Sequence, residues 1–381
     1  MNAPNGSLVV AIIATSVVAG CGSRTSVGAD GRDAAVAADV EAFVQRSADA
    51  DAFSGAVLLT RHGQALVRRG YGWADRKARR ANTPETPFAL ASVSKMFTAV
   101  MIAKLVERQP LSFESTLGSL LPAYPSAEAR ERVTVHHLLT MSSGIPDLFR
   151  VPEFWAGIPS IRTQADFWKY FATSPLSFPP GEQWAYSNSN FLLLGAIIEQ
   201  RTGRAFTAVV REEVFRPLGL TNTRYEVDAF MKPALGYTRT PPEGGNQADS
   251  SGWYPAWNEP KPGDDFVAGS PMGGGYSTVD DLARFADAIV ANRILRPHTT
   301  RRLLTGYVNA DYGGQDGYGF ETRVVNGVKT AGHRGSIAGS SNQVEFYPDL
   351  GYILVVLGNT DSAAETIAAH VRALLTSSTR P

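Results

Sequence analysis

The sequence predicts a mixed α/β fold of the α+β type. An antiparallel sheet is flanked by the N- and C-terminal helices, and a mostly helical domain is inserted between its halves. Three observations predict this. Strand-like runs joined by tight-turn residues lie near both ends of the chain. Apolar residues at helical spacing fill the middle. The 381 residues, 44% hydrophobic and 19% charged, have ordinary globular composition and can bury a sizeable core without a metal or disulfide staple.

The N-terminus comes first. Leu8 to Ala19 (LVVAIIATSVVA) is apolar. It is shorter than the ~20 residues a membrane-spanning helix needs and has the length of a signal-peptide core. Val18-Ala19-Gly20-Cys21 looks like a bacterial lipobox. That pattern predicts a leader over 1–20, lipidation of Cys21, and export to the cell envelope. An ordinary cleaved leader or an uncleaved anchor is the alternative. The segment MNAPNGS carries no Lys or Arg, a departure from the lipobox pattern. Small polar residues continue over 21–38 and read as a tether.

The folded part is expected from about Asp39. Val40, Phe43 and Val44 recur at helical spacing. Ser54 to Thr60 and Ala65 to Tyr71 read as strands joined by Arg61-His62-Gly63-Gln64. Val93 to Arg108 is apolar nearly all round, the mark of a buried helix. Phe191 to Arg201 is a second helix, stopped by Gly203. Leu282, Phe285, Ala286, Ile289 and Val290 mark a third, capped by Ser277 or Thr278. Arg239 to Asp265 is a long Pro- and Gly-rich loop carrying Trp253, Tyr254 and Trp257. Gly319 to Val325 and Val328 to His333 flank Asn326-Gly327, a type I′ hairpin signal. Gln343 to Tyr347 and Tyr352 to Leu357 flank a Pro-Asp-Leu-Gly turn. Ala363 to Thr376 is the last helix, with Ser362 and Glu365 as a capping box. The chain therefore divides into a sheet domain split over 39–88 and 265–377 and a helical domain over 89–264.

Charge and cysteine usage exclude several functions. Lys plus Arg equals Asp plus Glu, 36 against 36, which argues against nucleic acid and against electrostatic membrane binding. One cysteine excludes an internal disulfide and a Cys-rich metal site. His136-His137 lacks the H-E-x-x-H spacing and reads as structural. No cofactor or metal is expected. No G-x-S-x-G occurs, so the nucleophile elbow of the α/β-hydrolases is absent.

Three short patterns carry chemistry. In Ser92-Val93-Ser94-Lys95, Lys95 falls on the same helix face as Ser92 and can accept its proton if its pKa is lowered. A helix N-cap is the plain alternative for Ser92. Tyr186-Ser187-Asn188 follows a Pro-Pro-Gly turn and opens a helix. Tyr186 beside a cationic lysine is expected to ionise below its usual ~10 and relay a proton. Asn188 offers an amide to substrate. Gly332-His333-Arg334-Gly335 ends a strand, where His333 can donate a hydrogen bond or carry charge. Tyr307-Val308-Asn309 lacks the turn-then-helix context, and the Pro of Lys261-Pro262-Gly263 rejects it as a sheet strand.

With these patterns in this order, the chain resembles the serine β-lactamase and penicillin-binding-protein superfamily, above all the class C-like branch with D-alanyl-D-alanine carboxypeptidases and related esterases. The stretches VTVHHLLTMSSGIPDL (Val133 to Leu148), PPGEQWAYSNSNFLLLGAIIEQRTG (Pro179 to Gly203), RPLGLTNTRY (Arg216 to Tyr225) and GGGYSTVDDLARFADAI (Gly273 to Ile289) carry the likeness, which runs from about Val40 to the C-terminus. The resemblance implies a β-lactamase/transpeptidase-like fold and acylation of Ser92. Lys95 and Tyr186 would manage protons and Asn188 would hold the acyl side chain. His333, Arg334 and Gly335 would form the substrate-binding third motif, and the N–H groups of Ser92 and Ser336 the oxyanion hole. The substrate would be a small molecule or peptide, with carboxypeptidase or amidase action placed before esterase and β-lactamase action. A membrane would be met only through a lipid on Cys21. The family commonly has Thr or Ser where Arg334 stands. A guanidinium there can bind a carboxylate or crowd the site, and it alone motivates the reading of a non-catalytic binding or scaffold member. Trp253, Tyr254, Trp257 and Trp184 are candidates for an acyl pocket.

Overall fold

The computed structural model describes Met1 and residues 27–227, 230–241, 247–256 and 269–377. The leader, Cys21, Trp257 and Lys261-Pro262-Gly263 lie outside the described residues.

Helix α1 spans Val27–Asp49, so it begins inside the stretch expected to be a tether. Val36, Val40 and Val44 are its buried stripe. Strands β1 (Gly55–Arg61) and β2 (Gln64–Tyr71) follow. Their connection is tighter than expected: His62 and Gly63 take positive φ, as a two-residue primed turn demands. The C-terminal half supplies β3 (Val308–Asn309), β4 (Gln315–Asp316), β5 (Glu321–Val325), β6 (Val328–Ile337), β7 (Ser340–Tyr347) and β8 (Tyr352–Gly358). Asn326 and Gly327 both have positive φ, the geometry their dipeptide predicts. Together the strands make one eight-stranded antiparallel sheet in the order β3-β4-β5-β6-β7-β8-β1-β2. Both ends of the chain meet at the β8–β1 ladder. The two shortest strands, β3 and β4, carry no run long enough to read in the sequence.

Period-two alternation decides what each face covers. Val57, Leu59, Leu354 and Val356 pack with α1 and the last helix, α5 (Ala363–Ser377). Ala56, Leu58, Val355 and Leu357 point the other way, into the core shared with the helical domain. Strand β8 (YILVVLG) is apolar without a break because both its faces are buried. The cap expected of Ser362 does not form. Ser362 sits at φ +61, and Ser341 of β7 accepts the Ala364 N–H instead.

Helix α2 (Lys95–Arg108) and helix α3 (Asn188–Thr202) pack on each other inside the helical domain. Gly203 ends α3 in the left-handed region. Helix α4 (Val279–Val290) is capped by the Thr278 hydroxyl. Phe88–Ala89 pairs with Tyr276–Ser277, so the chain leaves and re-enters the sheet layer at neighbouring points. The Arg239–Asp265 loop is not structureless, since Tyr237–Thr238 pairs with Tyr254–Pro255.

Candidate active site

The site forms where α2, α3 and β6 converge. Ser92 lies in a single 3-10 turn, Ala91–Ser94, just ahead of α2. Ala91 is held at φ +48, a costly conformation for a residue with a Cβ. Strand β6 closes on this turn. A Cβ added to Gly335 would come within 2.4 Å of the Leu90 carbonyl and 3.0 Å of the Ser92 nitrogen, so only glycine fits.

Ser92 does not cap its helix. Its Oγ accepts from Lys95 Nζ at 3.0 Å and from Tyr186 OH at 2.7 Å. Lys95 is fully buried, three residues on at the start of α2. Its amine also donates to Asn188 Oδ1 at 2.9 Å and to the Met272 carbonyl. The Tyr186 and Phe191 rings stand 5.1 and 5.5 Å from Nζ. Among the described residues no carboxylate touches this amine. Burial therefore pulls its pKa down to about 7, against a small opposing pull from Asp147.

Tyr186 departs from expectation. Burial, then the charges of Glu321, Asp147 and Asp316, push its phenol well above the ordinary tyrosine value, despite the bond to Ser92. It keeps its proton near neutral pH. Asn188 departs too. Its Oδ1 is taken by Lys95, and its Nδ2 donates to both Asp147 oxygens at 3.3 and 3.4 Å. The amide expected to hold an acyl side chain is an internal strut.

His333 is buried in β6, and burial first, then the charges of Lys95 and Arg334, lower its pKa to about 3. It is neutral, not a charge. Its Nδ1 bonds to the Arg334 carbonyl, which only accepts, so Nδ1 carries the proton and Nε2 is an acceptor. The expected donor is spent on the backbone.

Arg334 is half-exposed. Its Nε pairs with Glu321 Oε1 at 3.2 Å, and its guanidinium lies 4.6 Å over the Tyr312 ring. Burial raises Glu321 to about 7 and Asp316 to about 6. Trp184 and Tyr312 donate to the Asp316 carboxylate at 2.6 and 2.8 Å. These groups, with Tyr186 and His333, line a cavity of about 10 Å³, room for one water. Ser336 is exposed beyond Gly335 and pairs with Ser341.

Sequence patterns thus found Ser92, Lys95, Tyr186 and His333, and the structure brings them together. They missed Asp147, the Met272 carbonyl, and the Asp316–Glu321 pair. A carboxylate directly after Tyr318-Gly319-Phe320 was the available signal for Glu321. Trp184 joins the site, but Trp253 does not: its Nε1 donates to Asp51 at 2.6 Å and its ring lies under Arg239. Tyr307, the rival of Tyr186, stacks on Tyr318. His136 bonds Tyr318, and His137 completes a capping box with Thr134. Among the described residues no group of three or more His, Cys, Asp and Glu is placed to hold a metal ion.

The chain is similar to known proteins over most of its length. The Beta-lactamase family model matches residues 38–377. Esterase EstB of Burkholderia gladioli is 31% identical over 80% of this chain and 84% of its own. A D-aminopeptidase of Brucella ovis is 28% identical over 75% of this chain, which spans only 52% of that relative's length. A penicillin-binding protein from Bacillus halodurans, 30% identical, superposes with a TM-score of 0.72 over 89% of this chain and 98% of its own.

The buried lysine has a measurable signature. Folded Lys95 loses its proton at about 7, while an unfolded lysine keeps its proton to ~10.4. Between those values the unfolded state binds more protons, so the lysine costs stability as pH falls from about 10 to 7, and the cost is constant below. Urea denaturation of wild type and Lys95→Met from pH 6 to 9.5 should show the difference shifting in favour of the variant on acidification, by on the order of 2–3 kcal/mol over that span. A pH-independent difference would mean the amine titrates normally.

Proposed function

The chain belongs to the Beta-lactamase family and is a serine hydrolase, and on that premise we propose that it hydrolyses small esters and amides through an acyl-enzyme on Ser92. One observation carries this reading: Ser92 Oγ is held between an amine depressed to about 7 and a phenol that keeps its proton. Ser92 Oγ attacks the substrate carbonyl carbon and its proton passes to Lys95 Nζ. The carbonyl oxygen takes the charge, facing the N–H groups of Ser92 and Ser336. Tyr186 gives its proton to the leaving oxygen or nitrogen and is reprotonated from Lys95. Water then attacks the acyl carbon and gives a proton to the same pair, which returns it to Ser92 Oγ as the Oγ–acyl bond breaks and the acid leaves.

The favoured substrates lack a free carboxylate on the leaving group. Glu321 already engages Arg334, and Asp316 adds a second carboxylate to the same cavity. The anchor that a carboxypeptidase needs is therefore compensated from within. This reverses the order expected from sequence, where D-alanyl-D-alanine carboxypeptidase action came first. The likeness to an esterase over most of both chains supports the same order. The intact Ser92, Lys95 and Tyr186 triangle leaves the non-catalytic reading without support.

Intact mass after mixing with a p-nitrophenyl ester, an amino-acid amide, a D-alanyl-D-alanine peptide and a penicillin tests this. An acyl adduct on wild type and none on Ser92→Ala is expected. Turnover of ester and amide should exceed that of the carboxylate-bearing peptide at least tenfold in kcat/KM, the loss of about one charged hydrogen bond. Faster turnover of the peptide would restore the carboxypeptidase order, and hydrolysis unaffected by Ser92→Ala would remove the mechanism.

Export to the cell envelope is part of the same proposal, resting on Leu8 to Ala19 and Cys21. Growth with labelled palmitate should label wild type and not Cys21→Ala. Label in neither, with the protein in the cytosol, would discard it.

A further inference from the structure

We propose that Asp147 is a positioning residue for Lys95, acting through Asn188, so that proton transfer from Ser92 depends on a carboxylate that touches neither the serine nor the lysine. The inference rests on the reading of Lys95 as the base. Asp147 lies in the turn before a short 3-10 helix, Leu148–Arg150, and accepts the Phe149 N–H. Across the gap it faces the start of α3. The Asn188 backbone N–H, one of that helix's unpaired donors, bonds to Asp147 Oδ1 at 3.1 Å, and Asn188 Nδ2 bonds to both carboxylate oxygens.

These bonds settle which way the amide faces. An ionised carboxylate only accepts, so it selects the NH₂ end of Asn188. The oxygen is then forced toward Lys95 Nζ, where it accepts at 2.9 Å. The reverse orientation would set NH₂ against an amine and push Nζ off Ser92. Asp147 also supplies a compensating charge. Of the titratable groups around Lys95, Tyr186 from the loop before α3 and His333 from β6 are neutral near pH 7, and Met272 gives only a carbonyl. Asp147 is the charge that favours the protonated amine. Glu321 and Asp316 sit on the far side, against Tyr186.

The test uses the full chain and a p-nitrophenyl ester. Burst amplitude counts active sites, and the acylation rate per site is followed against pH for wild type, Asp147→Asn and Asp147→Glu. Asp147→Asn keeps the shape, removes the charge and loses the preference for one amide face. Its acylation rate per site should fall tenfold or more, a misplacement penalty, and its acid limb should move to lower pH. Glu321→Gln serves as control because Glu321 titrates in the same range; the acid limb should persist there. Asp147→Glu restores the charge with a longer arm, so its limb should stay near that of wild type while its rate falls less. It also carries the test if Asp147→Asn does not fold. An unchanged rate and limb per active site in both Asp147 variants would reduce Asp147 to a structural part and overturn the proposal. Absence of a burst in wild type would instead remove the acyl-enzyme reading beneath it.

Discussion

The structure turns on one buried amine. Among the described residues Lys95 meets no carboxylate; it sits among neutral oxygens and two aromatic rings. Taking a charge out of water is expensive, so the amine surrenders its proton near neutrality instead. That single cost organises the elements around it. Helix α2 supplies the lysine and α3 supplies Asn188 and the Phe191 ring. The Met272 segment supplies a carbonyl, and β6 closes against the turn through Gly335. The strained Ala91 lies directly before Ser92 in the same turn.

Most of the fold was legible because its signals are local. Asn326-Gly327 demands a primed turn, Gly203 demands a left-handed helix end, and the α2 run is apolar because it is buried. Signals that depend on a distant partner were misread. Ser362 looked like a cap, yet the cap comes from Ser341 on a strand. The tether looked like a linker, yet Val36 docks it on the sheet. The cluster of Ser92, Lys95, Tyr186 and His333 was legible from three short patterns, but the protonation of its members was not. Tyr186 and His333 take their states from burial and from neighbours far along the chain, such as Glu321, which no spacing reveals.

Arg334 shows how a departure from a family pattern is absorbed. A lone guanidinium at the mouth would attract any passing carboxylate. Here Glu321 and the Tyr312 ring fix its place, and Asp316 lies beside it. The result is a nearly balanced polar wall beside Tyr186 rather than an anion trap. In a chain belonging to the Beta-lactamase family, this wall is what the proposed leaving group would meet.

The central claim is that Lys95 is neutral enough to act as base near pH 7. The most direct measurement is the wild-type acylation rate against pH, read by stopped flow on a neutral ester so that the substrate does not titrate. A lysine base with a pKa of about 7 predicts a rate that rises with a single proton lost near pH 7, persisting in Glu321→Gln, and no limb from His333 between about pH 5 and 6 where an ordinary histidine begins to charge. A rate that rises only toward pH 10 would mean the amine is protonated at neutrality, and would rule out Lys95 as the base.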